Sequence, residues 1–268
     1  MSDFPDATSI TVLAADGVAE VTLSRPPVNA VSVRMYEELT AAFRALSRRN
    51  DVHAVVLRSD QRMFCAGADI KQQVDSPTIA ESTNEYRQRL ARMCYDAILD
   101  CAVPTIAAVH GHAIGAGAVL AACCDIRYAS DDARLGLPEI NVGRCGGGRH
   151  LMRLVPQGAT RLMYFTGEPV DAQEAWRFGL VQRVVAPDEL LDSVRELAAK
   201  IAAKSPLGLR LAKKALNESE SLGVREGYAH EQIYTLQLAE SPDAAEAARS
   251  VLEKRPPKWS WPATPVAM

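Results

Sequence analysis

Ala107-Ala-Val-His-Gly-His-Ala-Ile-Gly-Ala-Gly-Ala-Val119 decides how this chain folds. A run of β-formers, Thr105 to Val109, enters through Pro104, meets Gly111, Gly115 and Gly117, and passes into an apolar run that ends at Cys123-Cys-Asp125. That is a strand turning through glycines into a helix. Glycine permits a tight turn and a close backbone approach, and the first turn of the helix presents N–H groups with no partner of their own. Such donors suit an oxygen that gains negative charge during a reaction. Alone, a turn of this kind is as often purely structural. His110 and His112 flank it and read as structural.

Outward from this segment the pattern stays mixed. Residues 18–23 alternate loosely, are rich in β-formers and stop at Arg25-Pro-Pro27, which predicts a strand. Ser32 is a helix N-cap for apolar positions Val33, Tyr36, Leu39, Phe43 and Leu46, and the basic cluster Arg48-Arg49-Asn50 suits that helix's end. Residues 52–57 read as a buried strand. Strands and helices in alternation predict an α/β protein with a largely covered sheet. From Pro187 the pattern becomes continuously helical, over 190–204, 207–218, 223–239 and 242–252, before a tail rich in Pro and Trp. Residues 1–195 are expected to form the α/β core with the site. Residues 196–268 are expected to form a helical region that covers the site and makes contacts between subunits.

Composition narrows the class. A net charge of −3 and a pI near 6.0 give no basic excess for nucleic acid. The longest apolar stretch, near residues 103–124, is broken by Pro104, two histidines and three glycines, unlike a spanning helix. The opening MSDFPDATSI carries two acids and no apolar run, unlike a secretory signal. The six cysteines form no CxxC pair, which points to buried reduced thiols and a cytoplasmic protein.

Three segments carry the chemistry: Met63-Phe-Cys-Ala-Gly-Ala-Asp-Ile-Lys71, the opening stretch, and Leu135-Gly-Leu-Pro-Glu-Ile-Asn-Val-Gly143. In order and spacing they resemble the FxAGADIK, NGxxxGGGxxLxxxCD and FxxPExxxG stretches of the crotonase (enoyl-CoA hydratase/isomerase) superfamily. Arg25-Pro-Pro-Val-Asn-Ala30, Phe165-Thr-Gly-Glu168 and Ala175-Trp-Arg-Phe-Gly-Leu-Val181 fit as well. The resemblance implies a spiral of ββα units with a helical C-terminal region, a trimer or dimer of trimers, and an acyl-CoA thioester substrate. It implies no metal and no cofactor beyond the CoA carried by the substrate, and neither nucleic acid nor membrane as partner. Residue by residue, it implies that the Ala68 and Ala116 N–H groups form an oxyanion hole. Ala116 replaces the usual glycine, and a backbone donor survives that change. Ala66, Asp69, Ile70 and Lys71 are implied in CoA binding, with Gly115 and Val119 beside the acyl group and Glu139 as the acid/base.

Two departures matter. Hydratases of the family carry a second glutamate where this chain has Val119, and valine neither accepts nor donates a proton. One carboxylate still moves a proton between two carbons, so the expectation is double-bond isomerisation by Glu139 alone. Hydration, dehydration and C–C hydrolysis of a diketone-like acyl-CoA stay open. From other classes, so do an NAD-binding oxidoreductase using Gly115-Ala-Gly117 and an idle acyl-CoA binder. The second departure is Arg144-Cys-Gly-Gly-Gly-Arg-His150, where the family has a PGxGGT-like stretch. It brings Arg149, for a second substrate carboxylate, and His150, as a second acid/base, toward the acyl pocket.

Overall fold

The computed structural model describes residues 3–70 and 82–260. Strands β1 (Ile10–Ala15) and β2 (Val18–Leu23) form a hairpin closed by Asp16 and Gly17, both at positive φ, the geometry of an Asp-Gly two-residue turn. Helix α1 (Val33–Arg48) starts where Ser32 accepts a hydrogen bond from the Met35 N–H. It buries Met35, Tyr36, Leu39, Phe43 and Leu46. Strand β3 runs over Ala54–Ser59, two residues later than expected, because the His53 and Ala54 N–H groups both bond the Gly17 carbonyl and pairing begins there.

After α2 (Ser82–Leu99) come β4 (Thr105–Val109), β5 (His112–Ile114) and α3 (Ala116–Cys123). The next pass adds β6 (Ile126–Ser130), β7 (Arg134–Gly136), a 3₁₀ turn at Pro138–Val142, α4 (Gly148–Met152) and α5 (Gln157–Thr166). Then follow β8 (Val170–Asp171), α6 (Ala172–Arg177) and β9 (Arg183–Val185). One sheet has the order β1-β2-β3-β4-β6-β9, parallel after the first hairpin, and a second has β5-β7-β8. The passes that begin at β4 and β6 each give one strand to the first sheet, one shorter strand to the second and a helix outside. This is the ββα spiral, and its α/β class matches the expectation. The β4 residues are all buried, as a strand covered on both faces must be.

Four helices finish the described chain: α7 (Leu190–Ala202), α8 (Pro206–Ser219), α9 (Val224–Ala239) and α10 (Pro242–Leu252). Residue 195 falls inside α7, whose Leu190, Val194 and Ala198 pack under Ala54, Val56, Ile106 and Ala108 of the sheet. Buried polar anchors hold α8. The Arg210 guanidinium donates to the Ser47 and Arg49 carbonyls, and Lys213 Nζ meets Asp125 at 2.7 Å. Helix α9 buries only Gly227 and exposes Tyr228, Ile233 and Leu236. Five cysteines are buried, whereas Cys145 is exposed. Among the described residues no helix is long and apolar enough to cross a membrane.

Candidate active site

The start of α3 is built by Gly115. Its φ of 56° carries the chain round the corner, and its N–H bonds the Gly136 carbonyl at 2.9 Å. Ala116 is then the first helical residue, so its N–H has no acceptor within the helix. A second free amide comes from the loop after β3. Val31 bonds the Gly67 carbonyl at 2.7 Å and the Asp69 N–H returns to the Val31 carbonyl at 3.0 Å. The Ala68 N–H between them donates to nothing among the described residues. The two loops touch, since a Cβ on Gly67 would stand 2.9 Å from the Ile114 carbonyl and 3.8 Å from the Ala116 nitrogen. Ala68 and Ala116 line one cavity of about 290 Å³, and so do Ala66, Asp69, Ile70, Gly115, Val119 and Glu139.

Glu139 opens the 3₁₀ turn after Pro138. A Cβ on Gly115 would lie 2.6 Å from its Oε1, so the carboxylate rests on bare glycine backbone. Its Oε2 is buried with no hydrogen-bond partner among the described residues. Burial raises its pKa, only partly offset by its own N–H. The other carboxylate in the lining, Asp69, is paired with Arg25 at 2.7 Å. Glu139 is therefore the carboxylate of the described lining that has no ion-pair partner among the described residues. Val119 lies one turn into α3, 2 % exposed, and the chain crosses it at Gly147, where a Cβ would stand 2.6 Å from Val119 Cγ2. Apolar packing occupies that position.

The wall facing these groups is polar. Tyr36 comes from α1, while Arg87, Ala91 and Tyr95 come from successive turns of one face of α2. The Tyr36 and Tyr95 hydroxyls are 3.3 Å apart. Arg87 Nη1 is buried without a partner among the described residues. Sequence reasoning placed Tyr36 in the helix core and missed α2 altogether, although the spacing of four was there to read.

The Arg144–His150 stretch divides. Arg144 and Cys145 line the cavity, but Arg149 is exposed and is not part of the lining. Helix α4 is a single turn that buries Leu151, which leaves Arg149 on its solvent side. His150 sits behind the wall, its ring edge-on to Tyr95 at 5.2 Å, with Nδ1 buried and without a partner among the described residues. Burial and Arg153 lower its pKa, so the imidazole is neutral. His110 bonds the Gln61 carbonyl at 2.8 Å, and His112 is exposed. Lys71 lies outside the described residues, and no residue after 147 contributes to the described lining. No cluster of His, Cys, Asp or Glu able to hold a metal occurs among the described residues. Gly117 is explained by packing, since a Cβ there would stand 2.5 Å from the Cys65 carbonyl.

The cavity thus gathers a carboxylate oxygen and two backbone amides that have no partner among the described residues. The family model described as enoyl-CoA hydratase/isomerase matches residues 14–261. The chain belongs to that family, the crotonase superfamily, and acts on acyl-CoA. It is 41% identical over 223 residues (83% of this chain, 86% of the relative) to the (7aS)-7a-methyl-1,5-dioxo-2,3,5,6,7,7a-hexahydro-1H-indene-carboxyl-CoA hydrolase of Rhodococcus jostii. The Mycobacterium tuberculosis protein of the same name is 39% identical over 222 residues (83% of this chain, 89% of the relative). Among solved structures, an enoyl-CoA hydratase of Mycobacterium smegmatis superposes with a TM-score of 0.86 at 35% identity, covering 94% of this chain and 99% of that one.

Proposed function

We infer that the chain hydrolyses a carbon–carbon bond in a keto-acyl-CoA thioester, with Glu139 as the single proton carrier and the Ala68 and Ala116 amides on the thioester oxygen. The observation that carries this reading is the state of Glu139: half-buried, its Oε2 without a partner among the described residues, raised in pKa, and facing no second free carboxylate among the described lining once Arg25 has neutralised Asp69. Two relatives bear the name of a hydrolase for a dioxo bicyclic acyl-CoA, and Tyr36, Tyr95 and Arg87 in the lining offer hydrogen bonds to an oxygenated acyl group. The backbone from Ala66 to Ile70 holds the CoA portion.

The step balances without an added cofactor. Glu139 takes a proton from water as the water oxygen bonds to the ketone carbon. The bond between that carbon and the thioester α-carbon breaks, and its electron pair becomes the thioester enolate, held by the two amides. Glu139 then returns the proton to the α-carbon. The products are a new carboxylic acid and an intact thioester in one opened chain. A raised pKa suits a group that must both accept and return a proton near neutrality.

Double-bond isomerisation is the second reading, favoured by Val119, because that reaction needs one carboxylate and no water. Purified protein is offered 2-oxocyclohexanecarboxyl-CoA, a 3-enoyl-CoA and crotonyl-CoA. The expected result is ring opening of the first, with the mass of one water gained and a new carboxylate on chromatography. Conversion of the 3-enoyl thioester at constant mass, with the keto ring untouched, replaces this reading with isomerisation. Fast hydration of crotonyl-CoA overturns both.

A further inference from the structure

Hydrolysis at a ketone creates two anionic oxygens, one on the thioester and one on the attacked ketone carbon. The Ala68 and Ala116 amides account for the first only. The second needs its own donors inside the same cavity, and the lining that includes Glu139 also holds two phenols. Tyr36 is 6% and Tyr95 9% exposed, and both line the cavity. Their oxygens are 3.3 Å apart and share one hydrogen bond. Two phenols carry two protons and one proton serves that bond, so the pair keeps a second O–H with no acceptor among the described residues. Tyr36 is close enough to Glu139 for that carboxylate to help raise its pKa, behind the larger effect of burial, so the pair donates as neutral phenols at physiological pH. The pair is fixed in place. Tyr36 projects from the Ser32-capped helix α1, Tyr95 from α2, and the His150 ring backs Tyr95 edge-on at 5.2 Å.

We propose that the Tyr36–Tyr95 hydroxyl pair is a second oxyanion site, which binds the ketone oxygen of the acyl group and stabilises the alkoxide formed when water adds to it. The spare O–H donates to the ketone, and the shared bond polarises that donor further as charge builds. This rests on the hydrolytic reading for the alkoxide. The recognition it predicts, of acyl groups bearing a ketone, is measured without turnover.

Binding is measured by calorimetry in the Glu139→Gln background, with 2-oxocyclohexanecarboxyl-CoA and cyclohexanecarboxyl-CoA, two probes that differ by one ketone. The protein with both tyrosines should favour the keto probe about tenfold, the worth of one buried hydrogen bond. Adding Y36F and Y95F together should bring the two affinities within about twofold, chiefly by weakening the keto probe. The deoxy probe also reports that the fold survives, because phenylalanine keeps the ring. In the otherwise wild-type enzyme, the same pair of substitutions should lower kcat for ring opening about a hundredfold, the scale for losing one oxyanion donor. A keto preference that survives both substitutions, or that is absent before them, overturns the proposal. If the keto ring binds selectively yet is never opened, the hydrolytic reading fails and the ketone site stands.

Discussion

Glu139 is held in a condition that costs stability, and the cost has a sign that can be checked. Its folded pKa is raised by burial above the ordinary value of 4.5. A carboxyl raised on folding binds its proton more tightly when folded, so its effect on stability is most favourable below pH 4.5 and is lost as pH rises through the folded pKa. Glu139→Gln should therefore unfold at higher temperature than the native protein at pH 7.5. The difference should shrink toward zero in acid, as thermal melts across pH will read out. An equal shift at every pH would mean that the carboxylate is solvated in the folded protein. At Val119 the neighbour is Gly147, so Val119→Glu has room only toward the cavity. It should lose about 1–3 kcal/mol of stability by burying a polar group, and gain slow hydration of crotonyl-CoA, measurable by loss of enoyl absorbance. Arg149 and His150 show the limit of reading single residues. They are adjacent, but successive residues of a helical turn point about 100° apart, and only the burial of Leu151 fixes which one faces Tyr95.

At the scale of elements, the spiral depends on close approach between the loop after β3 and the start of α3. Gly117 faces the Cys65 carbonyl with no room for a Cβ, and backbone cannot move aside as a flexible side chain would. Gly117→Ala should cost about 1–3 kcal/mol in chemical denaturation, with a lower kcat because Ala116 shifts with it. An unchanged denaturation midpoint would mean that the two loops are not packed as described. These loops were legible in the sequence because their glycines and Glu139 sit in motifs of fixed spacing. So were α1, through its N-cap and apolar periodicity, and the four C-terminal helices to within about two residues. The short strands β5 and β7, three residues each, offer too little alternation to read. Helix α2 does carry a signal in Leu90, Cys94 and Ile98, all buried and four apart, but Arg92 and Asp96 between them and Asn84, Arg87, Gln88 and Arg89 before them dilute it. The wall with Tyr95 and Arg87 was hidden for that reason.

For the whole molecule, apolar residues of α9 have no cover among the described residues of one chain. Tyr228, Ile233 and Leu236 are more than half exposed on a helix that buries only Gly227. Faces of that kind mark contacts with another protein surface. The expected assembly is a trimer or dimer of trimers, and Ile233→Asp should lower the mass seen by sedimentation equilibrium toward that of one 29.0 kDa chain. A native protein already at that mass would show that these helices do not join subunits. The cavity lies away from that region, lined by residues 31–147, so a dissociated chain that keeps activity is compatible with the site as built here.

The most direct test of the central claim follows the oxygen of water. The enzyme is incubated with 2-oxocyclohexanecarboxyl-CoA in water enriched in ¹⁸O, and the product is fragmented in the mass spectrometer. One ¹⁸O from the attacking water should appear in the new terminal carboxylate, formed at a rate that falls about 10²–10⁴-fold in Glu139→Gln. An unopened ring, or a Glu139→Gln variant as fast as the native enzyme, would contradict the account.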